Sequence, residues 1–373
     1  MQMLLDLLRG RLPDSLNDGQ WSTLLNVAEE ENLLPWAAER LRSLGGHCTQ
    51  EQMRQLDAIL REAQVASFVW TQTLKGTMAE FRKADVEVIS LKGPCLAERL
   101  YGDAALRSCY DLDLLVRPSD LARAEHLLGD MGFSPHGEAD DYHRRWLRKA
   151  TVVELHHELE NPHAFAIDLD GLWARSAVSQ FQRAPVQLLA PCDELHYLCL
   201  HAARHRFDRL CLLLDLAFAF RRLPLPSGGA PGWNDPVFDN MVALASIMAA
   251  RLDPQFPEPQ DLRLRPRDRR RLEQLADRLW NERLLAPAQA LDWRSQHRFF
   301  LEVENPGWRR ALRRWRHLRI LLTRLIDADF AFARRFHLRR KWQVRLLRPF
   351  RLLMKALRLS PETRQDAHQG TGG

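Results

Sequence analysis

The sequence has no apolar run long enough to cross a bilayer. Its most apolar stretch, Leu210 to Phe220, is broken by Asp215 and falls short of the ~20 residues a spanning helix needs. The start, MQMLLDLLRGRLPDSLNDGQW, lacks a basic opening before an apolar core, so a signal peptide is not expected. Cysteine is sparse: six residues, at 48, 95, 109, 192, 199 and 211, with no C-x-x-C pair. Neither a zinc ribbon nor a disulfide framework is indicated. A reducing cytoplasm is the expected setting, with membrane association at most peripheral. G-x-S-x-G, G-x-x-x-x-G-K and the dinucleotide-binding glycine fingerprint are also missing. His201 and His205 stand four apart, but without the Glu of a metalloprotease motif they are a poor zinc signal. No internal repeat is visible.

What is present fits a globular protein of two or three compact units: 373 residues, 46% hydrophobic and 27% charged. The net charge of +6 hides an asymmetry. Arg309 to Arg358 holds 17 Lys or Arg against two Asp, a net +15, which leaves −9 for the rest. A basic block of this kind usually addresses phosphate, in nucleic acid or at an anionic membrane surface. Trp308, Trp315, Trp342, Phe330, Phe332, Phe336 and Phe350 lie within or beside it, as suits a membrane interface or an RNA backbone. A solvated helical face is the plain alternative.

Periodicity divides the chain. Residues 1–75 read as helical, with apolar positions at three- and four-residue spacing through Trp21, Leu24, Leu25 and again Leu56, Ile59, Leu60. Gly45-Gly46 marks a break between helices. Residues 76–190 change pattern. Val86 to Leu91, Tyr110 to Val116 and Thr151 to Leu155 read as strands, and Tyr142 to Leu147 as a fourth that pairs back toward Thr151. Ser119 or Asp120 can cap a helix through Leu128. Residues 191–300 are helical again, with Asp193 as a candidate cap, a second helix over Arg209 to Arg221, and Pro/Gly-rich loops near 223–236 and 252–268. Residues 301–359 form the basic helical region, and 360–373 a disordered tail. The fold class is α+β: a small mixed sheet embedded in a mostly helical chain.

Residues 91 to 116, LKGPCLAERLYGDAALRSCYDLDLLV, carry the chemistry. On a strand, residues two apart share a face, so Asp111 and Asp113 project together and can converge on magnesium, which prefers oxygen ligands. Two acids in an otherwise apolar strand need a compensating partner such as a metal, unless the strand is exposed to water. Lys92-Gly93-Pro94 follows the first strand and opens a helical stretch. Gly permits the tight turn, Pro suits the first helical turn, and the helix N-terminus can cradle phosphate. Lys92 and Arg107 can add positive charge near a triphosphate; each alone reads more readily as a solvated side chain. Glu154, in TVVEL, adds a third carboxylate, as metal ligand or as base for an acceptor hydroxyl, or else pairs with a core Arg. His156 shares its strand face and is a candidate phosphate or acceptor contact. Arg204, His205 and Arg209 cluster on helical spacing and are candidates for the same role.

These residues match a known pattern. The segment resembles the uncharacterised nucleotidyltransferase family of bacteria, within the DNA polymerase β-like nucleotidyltransferase superfamily. The matching elements, in order, are Leu91-Lys92-Gly93, Leu100-Tyr101, Arg107, Asp111-Leu112-Asp113-Leu114-Leu115-Val116, Glu154-Leu155-His156, His201 with His205, Arg209-Leu210 and Asp215. The resemblance covers roughly residues 75–220. It departs from the wider superfamily at Pro94, where a Gly or Ser usually follows the glycine, and Pro has no N–H to offer a phosphate.

The resemblance implies a magnesium-dependent transferase with one or two ions. Asp111, Asp113 and Glu154 would hold metal, and Lys92, Gly93 and Arg107 would face the triphosphate. A nucleoside monophosphate would move from a nucleoside triphosphate to an acceptor that could be a small molecule, a peptide or RNA. The rival reading is a non-catalytic relative that binds RNA or an anionic membrane through its basic C-terminal helices.

Overall fold

The computed structural model describes residues 1–13, 15–44, 48–137, 142–160, 165–223, 231–233, 235–252, 264–285, 293–304, 307, 310–312, 315, 332–334, 336 and 340–356. The chain forms two compact units, residues 1–305 and 306–373.

The first unit opens with four helices: α1 (Gln2–Leu8), α2 (Asp18–Glu30), α3 (Leu34–Leu44) and α4 (Gln50–Lys83). Two starts are written locally. Asn17 and Gln20 make a reciprocal capping box on α2, and Thr49 and Gln52 make one on α4, each satisfying otherwise orphaned N–H groups. Helix α4 runs unbroken across residue 75. Gly45 and Gly46, read as a helix break, lie outside the described residues.

The sheet follows: β1 (Val88–Ser90), α5 (Pro94–Tyr101), β2 (Leu112–Val116), a 3₁₀ turn (Pro118–Asp120), α6 (Leu121–Asp130), β3 (Ser134–His136), β4 (His143–Arg148), β5 (Thr151–His156), α7 (Leu169–Arg175), β6 (Ala177–Phe181) and β7 (Ala184–Leu188). The strands form one mixed seven-stranded sheet in the order β3-β4-β5-β2-β1-β7-β6. β1 and β2 are antiparallel, whereas β2 and β5 run parallel with Asp113 directly beside Glu154. The fourth expected strand pairs antiparallel with β5 as anticipated.

Alternation sets the two faces. Leu112, Leu114 and Val116 of β2, and Val153 and Leu155 of β5, enter one core with Met78 and Phe81 of α4 and Ala124 and Leu128 of α6. Asp113, Glu154 and His156 take the opposite face.

Beyond the sheet come α8 (Pro191–Arg204), α9 (Leu210–Arg222), α10 (Pro236–Leu252), α11 (Pro266–Leu285) and α12 (Trp293–Val303). The Asp193 cap is corrected: α8 starts three residues earlier, with Ala190 as N-cap and Pro191 in the first turn. Asp193 is fully buried and accepts a bidentate bond from Arg175 and one from the Trp233 indole instead. Pro266 to Asp268, placed in a connector by sequence, begin α11. Strands β3, β6 and β7 were not expected. In the second unit, α13 (Lys341–Ala356) is the principal described helix. Most of the basic block from 309 to 340, most of the two Pro/Gly-rich loops and the C-terminal tail lie outside the described residues. No described helix is long and apolar enough to cross a membrane.

Candidate active site

The site forms where β1 ends beside β2. The Leu91 amide donates to the Asp113 carbonyl at 2.9 Å, extending the ladder and bringing Lys92 alongside Asp113. The Ser90 hydroxyl donates to the Lys92 carbonyl at 3.1 Å. Gly93 then turns the chain with φ 84°, and a Cβ there would meet Leu112 Cδ2 at 3.2 Å. Left-handed backbone and close packing both require glycine. Pro94 stands in the first turn of α5, where its missing N–H leaves no helical bond unmade.

Asp113 is fully buried. The Lys92 ammonium lies 3.0 Å from its Oδ2, and His156 Nε2 lies 3.2 Å from its Oδ1. Burial pushes the Asp113 carboxyl up, but Lys92 and the His156 hydrogen bond outweigh it and hold it well below the ordinary range. Glu154 accepts from Arg145 Nε at 2.8 Å through Oε1, while its Oε2 is 3.8 Å from the Nε2 atoms of both His156 and His143. Burial raises this carboxyl too, yet the neighbouring His156 prevails and brings it down to about 2. Desolvation works against a charged His156, but Asp113 and Glu154 more than compensate and raise its affinity for a proton. His143 stacks on His156 with centroids 5.1 Å apart and planes 19° apart.

Among the described residues, the group that could share one ion is therefore Asp113, Glu154 and His156, with one ligand atom from each lying within 4.8 Å of the others. The donor set, two carboxylates and an imidazole, fits a divalent cation. Asp111 is not in that trio. It precedes β2, and its carbonyl accepts from the Cys109 thiol at 3.1 Å. Burial and the nearby Asp113 charge push its carboxyl up to about 6, against the pull of Lys92.

The other expected residues divide. Lys92 contacts the acid cluster and also sits 3.4 Å from His201 Nε2. Since an ammonium can only donate, His201 accepts. Burial and the Lys92 charge keep that imidazole neutral, far below its usual range. In the sequence His201 stands only as a poor zinc signal and an element of the family pattern; its partnership with Lys92 spans 109 positions and no local signal announces it.

Arg107 is turned to Asp215, with Nε 3.0 Å from both carboxylate oxygens and a terminal nitrogen 2.9 Å from Oδ2. The Tyr101 hydroxyl donates to the same Asp215 at 2.7 Å. Arg204 is 4.0 Å from the Glu160 carboxylate, 3.4 Å from His201 Nδ1, and over the Tyr142 ring at 5.4 Å. His205 lies 4.9 Å from His201 by ring centroids. Arg209 reaches back to the Glu30 carbonyl at the end of α2, at 3.4 Å.

Residues 17–231 match the family described as uncharacterised nucleotidyltransferase. Two solved structures resemble the chain at low identity. One is the antibiotic-resistance factor ANT(2'')-Ia, at 13% identity over 42% of this chain and 84% of that one, with a TM-score of 0.34. The other is a tRNA-processing enzyme, at 12% identity over 78% and 91%, with a TM-score of 0.24. No curated protein matches the chain.

Proposed function

The chain belongs to the uncharacterised nucleotidyltransferase family, and on that premise we propose that it moves a nucleoside monophosphate from a nucleoside triphosphate to an acceptor hydroxyl or phosphate, releasing pyrophosphate. One observation carries the proposal: Asp113, Glu154 and His156 converge on one face of the sheet, with Lys92 beside them at the head of α5.

Asp113 and Glu154 would hold a divalent cation, whose charge Asp111 would also feel. Such an ion supplies Lewis-acid stabilisation of charge on the triphosphate oxygens. The chain's own residues do the rest. Lys92, already balanced between Asp113 and His201, places a cation where a phosphate can reach it. Arg204 sits beyond hydrogen-bond range of Glu160, so most of its five donors can turn to a phosphate. Arg107 holds the segment before β2 in place through Asp215. His205 and Arg209 would serve as contacts to the acceptor or to a phosphate.

The test is incubation with each triphosphate labelled at the α-phosphate, a divalent ion and a cell extract as acceptor source. Transfer of label to an extract component by the native protein, and none by Asp113→Asn, is expected. No transfer with any of the four triphosphates would overturn the reading.

A second reading concerns the basic block. On α13, Trp342, Leu346 and Phe350 repeat every four residues and are 57%, 71% and 49% exposed, while Val344, Arg348 and Arg351 are buried. An outward apolar stripe within a segment of net +15 suits an anionic lipid surface. Co-sedimentation with anionic but not neutral vesicles, reduced by Leu346→Glu, is expected; binding to bulk RNA alone would reassign the surface.

A further inference from the structure

We infer that His156 is a metal ligand, and that its imidazole makes this site select a nitrogen-accepting transition ion over magnesium. The inference rests on the transfer reading above for the presence of a cation, and goes beyond it in naming the third ligand and the class of ion.

The geometry starts from the strands. Asp113 and Glu154 are paired across β2 and β5, and His156 lies two residues along β5 on the same face. All three side chains thus spring from a rigid hydrogen-bonded ladder. Their donor atoms already approach one another: Asp113 Oδ1 to His156 Nε2 is 3.2 Å, and Nε2 to Glu154 Oε2 is 3.8 Å. Donors at right angles on an ion ~2.1 Å away stand about 3 Å apart, so small side-chain movements would close the triangle.

The basic neighbours mostly engage the other carboxylate oxygens, with His143 Nε2 3.8 Å from Glu154 Oε2. Lys92 engages the other oxygen of Asp113, and Arg145 the other oxygen of Glu154. Stacking by His143 fixes the plane of the His156 ring. Ligation uses the Nε2 lone pair, so the proton on that nitrogen moves to Nδ1 or to solvent. Nδ1 is buried without a hydrogen-bond partner. Ligating histidines usually have that nitrogen held by an acceptor, so the bound ion should be exchangeable rather than structural.

The donor chemistry then decides between ions. Magnesium prefers oxygen and keeps its waters. An imidazole beside two carboxylates favours ions further along the transition series, and manganese is the member that shares magnesium's affinity for carboxylate and water.

The experiment titrates the full-length protein with Mn²⁺ alone and follows the ion by electron paramagnetic resonance. Electron spin echo modulation then reports any directly bound imidazole nitrogen. Mn²⁺ should bind at least ~10-fold more tightly than Mg²⁺, show ¹⁴N coupling, and lose both the coupling and the preference in His156→Gln. The coupling should survive in His143→Gln, a control that assigns the nitrogen even if His156→Gln folds poorly. Binding that requires Asp113 but shows no ¹⁴N coupling, with equal affinity for both ions, would overturn the inference and leave nucleotidyl transfer standing. No Asp113-dependent binding of either ion, with or without a non-hydrolysable triphosphate, would overturn both.

Discussion

Asp215 and Asp113 are both buried carboxylates, 3% and 0% exposed, each facing a basic residue that the sequence placed near a triphosphate. Their surroundings differ. Asp215 receives the Tyr101 hydroxyl and the fork of Arg107, and its charge is matched by one guanidinium. Burial works against the Arg107 charge, but Asp215 prevails and raises its pKa further. That network is closed. Asp113 has Lys92 and His156, but Asp111 and Glu154 crowd the same space, and their charges act on one another. Three carboxylates there share Lys92, Arg145 and His156. A closed pair fixes geometry, whereas clustered carboxylates offer a cation several oxygen ligands at once.

The largest expected effect lies in the open network. Asp113→Asn should cut transfer at least ~10³-fold, the scale of losing a principal electrostatic group. It should also lower the melting temperature, because Lys92 keeps its buried position without its anion. Asp113→Asn with Lys92→Met should regain stability without activity, as steady-state assays and thermal melts would show. Arg107→Met comes next. Removing one partner of a buried pair costs about 3–5 kcal/mol, measurable by urea unfolding, and Asp215→Leu in the same chain should recover most of it.

Asp111→Asn should act with the opposite sign to Asp113→Asn. The Asp111 carboxyl titrates near 6 in the fold, above its ordinary 3.8. As pH rises from about 4 through 6, the unfolded chain has lost this proton while the folded chain still holds it, so stability falls. The amide should therefore raise stability of the metal-free protein by up to about 3 kcal/mol at pH 7, and an unchanged or lower melting temperature would refute the repulsion assigned to it.

The smallest effect concerns His205. Burial, with the Arg204 and Lys92 charges, lowers it to about 4. The unfolded chain takes up a proton below about 6.5 that the folded chain refuses until about 4. Stability is then lost as pH falls through that window, and His205→Asn should flatten this part of the melting profile.

How much of this was legible in the sequence follows its physics. Strands β2 and β5 announce themselves through alternation and β-branched runs, and the i, i+2 rule put Glu154 and His156 on one face before any coordinates. Strands β6 and β7, AVSQF and APVQL, carry glutamines and a proline, and β6 is the sheet's edge strand with four of its five residues exposed, so the apolar pattern is weak. β3 is three exposed residues. The partnerships of Lys92 with His201 and Arg107 with Asp215 span 109 and 108 positions, and only the fold brings them together. The family pattern contained all four residues but not who faces whom. Asp193 shows the reverse failure: a residue well placed to cap a helix was taken by Arg175 and Trp233 because tertiary ion pairing outweighed local capping.

The reading of this site as a nucleotidyltransferase centre meets its most direct test in the fate of the α-phosphate. With a triphosphate labelled at that position, a divalent ion and an acceptor-containing extract, the native protein should attach the label to an acceptor and release unlabelled pyrophosphate in equal amount, and Asp113→Asn should do neither. Release of the γ-phosphate alone, or equal labelling by the native protein and the variant, would contradict it.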